Sequence, residues 1–483
     1  MAHDYGNSNL KNYIDQIKSS LSASNKKPTI VGTIIKAAEE SSCKIIKLGQ
    51  TLYIKKGDNP LALFHLNIDN ASDVPFSITD FEDENSIASK ANFNLISSAI
   101  VINNLLLNSD KSFDVLISHS NIQSNIEDYS EVSAVLRTNN IINLNLRQAD
   151  VIADEFSSLL LSLITVPVSR FKPEYPYKTY RLSLNNLMGG HAGDNSNKVR
   201  KNSIKMIIGF FRKLKSKVDI EMLSFCGGDR YDNVPSSAEL EFIINPDYES
   251  DLLNAFEILK NDAIEKNLRY EPDMIFTCEE VENKELAPIT GESFNQLASF
   301  VELCPSGPFT VSSIDDQVIS SSNLATSRSL KRTINMILVF RSLTEEGMRQ
   351  MLEKSSIAAD IANSKLEKKF FIPSWKNQDK SLTNVFSKAY KDLNDNDLEI
   401  IRTQYSLDSS LVFKNLNVKI VSLGVKYKQD DQYFYTQIDE ISRVINLIEH
   451  VLEILKENKE KQWQKHLIFM VMRWYLIKIK ARQ

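Results

Sequence analysis

The side chains best suited to metal or nucleophilic chemistry in this 483-residue chain are six histidines and four cysteines. A zinc ion needs three or four His, Cys or carboxylate ligands converging on one point. Cys43, Cys226, Cys278 and Cys304 are far apart and form no CxxC pair. That argues against a zinc ribbon, a redox motif and a disulfide framework. His65 lies inside an apolar run, LALFHLNID (61–69), and His191 inside a glycine-rich turn, GGHAG. His119 ends FDVLISHS beside Ser120, and no acidic residue adjoins the pair to complete a nucleophile relay. His450 sits in ISRVINLIEHVLEIL, an amphipathic pattern that turns it toward solvent or a local packing contact, and His3 is in the N-terminal segment. There is no GxxxxGK[ST] run, and GGHAGD lacks the strand–turn–helix setting of a dinucleotide loop. LKRTIN and FFRKLKSK read as solvated helix faces.

Elements of two kinds must position these residues. IVGTIIKAAEESS (30–42) and FNLISSAIVINNLLL (93–107) are apolar at helical period, and KIIKLGQTLYIKK (44–56) reads as two short strands around Gly49. LALFHLNID, FDVLISHS (113–120) and IINLNL (141–146) are short apolar runs of the kind buried on both faces of a parallel sheet. Their order predicts an α/β domain with a doubly covered sheet. RFKPEYPYK (170–178) marks a boundary, because Pro173 and Pro176 break any regular element. Beyond it come an alternating strand (179–187), a helix from about Asn197 to Lys217, a strand pair within 220–244 and a helix over 249–266. This order reads as an α+β module. From about 370 the helix–strand–helix order returns, so the second module is inserted in the first: 1–175 and 370–460 form the α/β domain, 176–369 the insert and 461–483 a tail.

Composition bounds the function. The chain is 42% hydrophobic and 25% charged, with 57 Lys+Arg against 62 Asp+Glu, a net charge of −5. Its length gives two or three domains with ample core material. The mild acidity offers no global field for nucleic acid. The N-terminus lacks the apolar stretch of a signal peptide, and no run reaches the ~18 apolar residues of a membrane span. The expected address is the cytoplasm. The tail QWQKHLIFMVMRWYLIKIKARQ (462–483) has a short apolar run broken by Arg473 and flanked by cations. It reads either as an interfacial or partner-binding helix or, the reading preferred on composition, as a helix packed on the body or a tail of no consequence.

Several segments together resemble the cytosolic non-specific (aminoacyl-histidine) dipeptidases, a family of di-zinc metallopeptidases. The closest is NNLMGGHAGDNSNKVRKNSIKMI (185–207), similar to that family's GGHSG turn and the helix after it. GGDRYDNVPSSAEL (227–240), CPSGPF (304–309), VFRSL (339–343) and IPSWKNQDKSL (372–382) follow in the family's order, with weaker likeness at LFHLNID (63–69) and INLN (142–145). The resemblance covers roughly residues 28–456. It implies a metallopeptidase-like α/β domain with a central mixed sheet, interrupted by a smaller α+β lid, with a dipeptide clamped between them.

The same resemblance shows what has changed. The family's first zinc-binding His falls on His65, but the aspartate that orients it falls on Asn67 and the bridging aspartate on Asn92. The paired glutamates, general base then ligand, fall on Ser120 and Asn121, and the aspartate of the INLD-like strand on Asn145. The last His ligand belongs to a turn that here reads VKYKQDDQYFY and has no histidine, and the HAGLECG segment becomes QYSLDSS, with Gln404 and Asp408 in place of His and Glu. One imidazole among amides cannot hold a divalent metal at useful affinity, and a serine cannot take a proton from water near neutral pH. Amides in the old carboxylate positions also spare the fold the repulsion of clustered charge without a cation. No cofactor is therefore expected.

The residues implied for gripping a peptide remain: Arg341 for its C-terminal carboxylate, His191 for the scissile carbonyl, and Asn233 and Gly307 in the substrate-facing loops. Read without the resemblance, Arg341 is a surface ion pair and His191 a turn residue. The expectation is a pseudopeptidase that binds a short peptide or a protein partner, with a homodimer suggested by analogy. The alternatives are an active zinc dipeptidase using a rearranged set such as His65, Asp69, His119 and Asp408, and a structural protein whose cleft has closed.

Overall fold

The apolar runs build two nine-stranded sheets, and a small four-stranded sheet accompanies the first. In the computed structural model, which describes residues 7–23, 29–68, 76–81, 83–91, 93–119, 129–146, 150–193, 198–283, 285–430 and 432–480, the runs apolar on both faces become the centre of a mixed sheet. Leu63–Asn67 lies parallel to Phe113–Ser118 on one side and to Asn140–Asn143 on the other, and Lys419–Ser422 extends the parallel set. All five residues of Leu63–Asn67 are buried. Burial on both faces is what near-continuous apolar strands require, and it is met here by helices. Phe93–Asn108 is a buried helix, and Ile30–Glu40, capped by Thr29 Oγ1 accepting from the Gly32 amide, packs its Ile30, Ile34 and Ala38 into the same core. The two strands expected around Gly49 form an antiparallel hairpin, Lys44–Leu48 with Thr51–Lys56, and Gly49 supplies the left-handed turn with φ of 59°. A four-stranded antiparallel sheet made from 79–89 and 428–437 completes this unit.

The second unit is antiparallel throughout, in the order Ile275–Val281, Lys178–Asn185, Ala238–Ile244, Ile220–Gly227, Val318–Ser329, Thr333–Ser342, Ser158–Pro167, Lys365–Ile372. Ser203–Lys215, Gly291–Leu303 and Glu345–Ile361 are amphipathic helices that bury Ile207, Phe211, Phe294, Leu297 and Met351 in its core. The first of these starts at Ser203 rather than near Asn197, because the Asn202 side chain accepts from the Lys205 amide and caps it there.

Contacts divide the chain into 1–155, 376–402 and 411–483 as one unit, and 156–375 with 403–410 as the other. The Ser158–Pro167 strand, which precedes the Pro173–Pro176 break, thus pairs inside the second unit's sheet. The last helix runs unbroken from Ile438 to Lys480. Its first turns bury Ile441, Ile448 and Val451 in the core of the first unit, whereas Trp463, Phe469, Met470 and Trp474 are exposed. For the side chains described beyond Lys456 the packed-on-the-body half of the expectation is therefore corrected: they are exposed. No helix among the described residues is long and apolar enough to cross a membrane.

Candidate functional site

Parallel register builds the surroundings of His65. His65 stands opposite Asn143 and Leu116, and Asn67, two residues on and so on the same face, stands opposite Ser118. The Ser118 hydroxyl donates to Asn67 Oδ1 at 2.8 Å and lies 2.8 Å from His65 Nε2. With its one proton given to Asn67, Ser118 accepts from His65, so the histidine carries its proton on Nε2. Asn143 is fully engaged: Nδ2 donates to His65 O, and Oδ1 accepts from Ser422 Oγ at 2.8 Å and from the Asn145 amide at 2.9 Å. Phe413 meets the imidazole edge-on with ring centroids 5.6 Å apart. His65 is wholly buried, and that burial pushes its pKa from 6.5 down to about 3. The imidazole is neutral at any pH near 7.

These donors do not fit a pair of zinc ions. Among the described residues, the side chains that form the His65 network are a hydroxyl and an amide, Ser118 and Asn67, and not carboxylates. Asn145 Oδ1 is a buried oxygen with no hydrogen-bond partner, but a single amide oxygen is one weak donor. Among the described residues, no group of three or more His, Cys, Asp or Glu side chains could hold a metal ion. Asn92, Ser120, Asn121 and Asp69 lie outside the described residues. His119 is described; its carbonyl accepts from Tyr129 Oη at 2.9 Å. Asp408 opens a short helix, Asp408–Val412, and falls in the 403–410 segment assigned to the second unit.

The four residues implied for substrate contact come together in the second unit, around the strand Val318–Ser329. Arg341 stands opposite Ser321 and Gly307 opposite Ser322, while the Asn323 side chain donates to Asn233 O at 2.7 Å. A backbone bridge joins Asn233 to His191. The segment 403–410 closes the ring: Tyr405 stacks on His191 with centroids 5.0 Å apart, and Arg341 Nη1 donates to Gln404 O at 3.3 Å and Ser406 Oγ at 3.1 Å. Gln404 is itself fixed, its Nε2 donating to the carbonyls of Val318 and Ile319 and its Oε1 accepting from Ser321. Arg341 is buried, so the surface-ion-pair reading of it is set aside. Tyr405 Oη, on the ring stacked against His191, is buried without a hydrogen-bond partner.

The GGHAG turn is held by features that sequence reading passed over. Gly189 and Gly190 have φ of 53° and 100°, which a side chain would resist. The carboxylate of Glu271, 1% exposed, accepts from the amides of Met188 (2.6 Å) and Lys201 (3.0 Å) and so ties both ends of the loop. Burial raises the pKa of Asp232, but the hydrogen bonds and charge of Arg230, aided by His191, outweigh it and hold the carboxylate below its ordinary range.

No protein-family model matches the chain. In three dimensions it is similar to the crystal structure of aminoacylhistidine dipeptidase from Vibrio alginolyticus, with a TM-score of 0.65 and 18% identity over 92% of this chain and 96% of that one. The fold is thus that of a peptidase catalytic domain carrying a lid insertion. In sequence, 255 residues are 23% identical to the cytosol non-specific dipeptidase of Escherichia coli (strain K12), covering 52% of this chain and 48% of that protein, so the match spans about half the length of the curated relative. The chain is homologous to the cytosolic, aminoacylhistidine-type dipeptidases.

Proposed function

We propose that this protein is a non-catalytic relative of the dipeptidases: water activation is lost at the His65 position, and a peptide-binding cluster is kept around Arg341. The observation that carries this reading is the His65–Ser118–Asn67 relay. It is a neutral, fully buried network of imidazole, hydroxyl and amide, where a hydrolase of this type needs several carboxylates around its metal ions. Ser120, in the position of the general base, cannot serve as one. The Arg341 cluster has the opposite character. Its planar guanidinium suits a carboxylate, His191 and Asn233 are bridged beside it, and the buried Tyr405 hydroxyl has no hydrogen-bond partner, at about 1–3 kcal/mol while unsatisfied.

The ligand class is a short peptide, or the free carboxyl end of a protein partner, met in the cytoplasm; analogy with the dipeptidases alone suggests a homodimer. Thermal unfolding with and without a dipeptide panel is the test, since a ligand that binds only the folded form raises the melting point. The reading predicts stabilisation without turnover, in zinc as in chelator. Turnover in zinc would establish the active alternative, and absence of stabilisation by any peptide would leave a structural protein.

A further inference from the structure

The helix Ile438–Lys480 changes character along its length. Ile438, Ile441, Val444, Ile445, Ile448, Val451, Leu452 and Ile454 are buried, and from Lys456 onward every side chain the structure describes is exposed. In sequence, the end of the helix is its most apolar part. Leu467 to Ile479 reads LIFMVMRWYLIKI, interrupted by Arg473 and Lys478 alone. Trp463 is 70% exposed, Phe469 62% and Trp474 52%. Residues 459–483 hold seven cations (Lys459, Lys461, Lys465, Arg473, Lys478, Lys480, Arg482) against one acid, Glu460. The segment is thus +6 in a chain of −5, which leaves −11 on the rest.

We propose that this helical segment docks on a bilayer surface bearing anionic lipid. A helix apolar on all sides calls for an apolar medium, and thirteen residues at about 1.5 Å each give ~20 Å, short of the ~30 Å hydrocarbon core. The segment therefore lies in one leaflet and does not cross. Trp463, Trp474 and Tyr475 are the side chains that favour the headgroup level, and the cations meet the lipid charge while the acidic body is repelled from it. Charge also chooses among occupants. The same segment of a second copy would set +6 against +6.

The test is co-sedimentation of the full chain with vesicles of phosphatidylcholine alone or with phosphatidylserine added. Binding is expected only with phosphatidylserine. Each cation is worth roughly fivefold in partition, so the variant Lys461→Gln/Lys465→Gln/Arg473→Gln should bind roughly 100-fold more weakly. Trp474→Asp should also abolish binding. Both variants change exposed side chains, so the thermal unfolding of the body should not move. Absence of binding to phosphatidylserine vesicles, equal binding to both compositions, or lipid-free self-association that Trp474→Asp abolishes would each overturn the proposal.

Discussion

Replacing His65 with glutamine keeps a donor for Ser118 but removes a group that the folded protein refuses to protonate. Burial lowers the folded-state pKa from 6.5 to about 3. Below pH 6.5 the unfolded chain therefore takes up a proton that the folded chain does not. The stability from this source is complete above pH 6.5, declines as the pH falls and is gone near pH 3. Each pKa unit is worth about 1.4 kcal/mol, so lowering the pH from 7 to 5 removes about 2 kcal/mol through His65 alone. His65→Gln should lack that loss while keeping the carboxylate contributions common to both proteins. Hydrogen exchange at the amides of Leu63–Asn67, at pH 7 and pH 5, reads the local unfolding free energy of this unit. The wild type should fall by about 2 kcal/mol more than the variant across that interval. Equal falls, or an imidazole Cε1 proton resonance that titrates with a midpoint above 5, would refute the neutral, closed network.

Other perturbations test other parts of the structure. Asp114 is fully buried and accepts from Arg137 Nε at 3.0 Å and Tyr53 Oη at 2.7 Å, so Arg137→Ala strands a carboxylate and should cost about 3–5 kcal/mol in urea unfolding, with Asp114→Asn/Arg137→Met recovering part of it. Gly424→Ala would place a Cβ 1.5 Å from the Leu146 carbonyl oxygen; a loss of more than about 4 kcal/mol is expected, seen as failure to recover soluble protein. Arg341→Lys keeps the charge but loses the planar guanidinium whose Nη1 reaches both Gln404 and Ser406, and should remove peptide-dependent stabilisation in a thermal shift assay.

How much of this was legible in the sequence depends on which physical signal each feature leaves. The strands Leu63–Asn67 and Phe113–Ser118 announce themselves because burial on both faces demands an unbroken apolar run. Register leaves no such mark. Ser118 and Asn143, which define the His65 environment, were missed because nothing in FDVLIS or IINLNL says which residue stands opposite His65 or Asn67. Gln404 was noted only as a replaced histidine. Its position under Arg341 depends on a segment, 403–410, remote in sequence from the strands it joins. Glu271 was invisible for the same reason: its partners, the amides of Met188 and Lys201, are backbone groups with no sequence signature. The end of the last helix differs from the packed reading of its apolar run, since Trp463, Phe469, Met470 and Trp474 are exposed.

The proposal stands or falls on whether the chain, with amides and hydroxyls at the positions the resemblance gives to carboxylates, can hold zinc. Zinc titration of the metal-stripped chain, followed by calorimetry, measures it most directly. The account predicts no heat of stoichiometric binding and no gain in dipeptide hydrolysis afterwards. Tight uptake of a pair of zinc ions, abolished by His65→Gln, would contradict it.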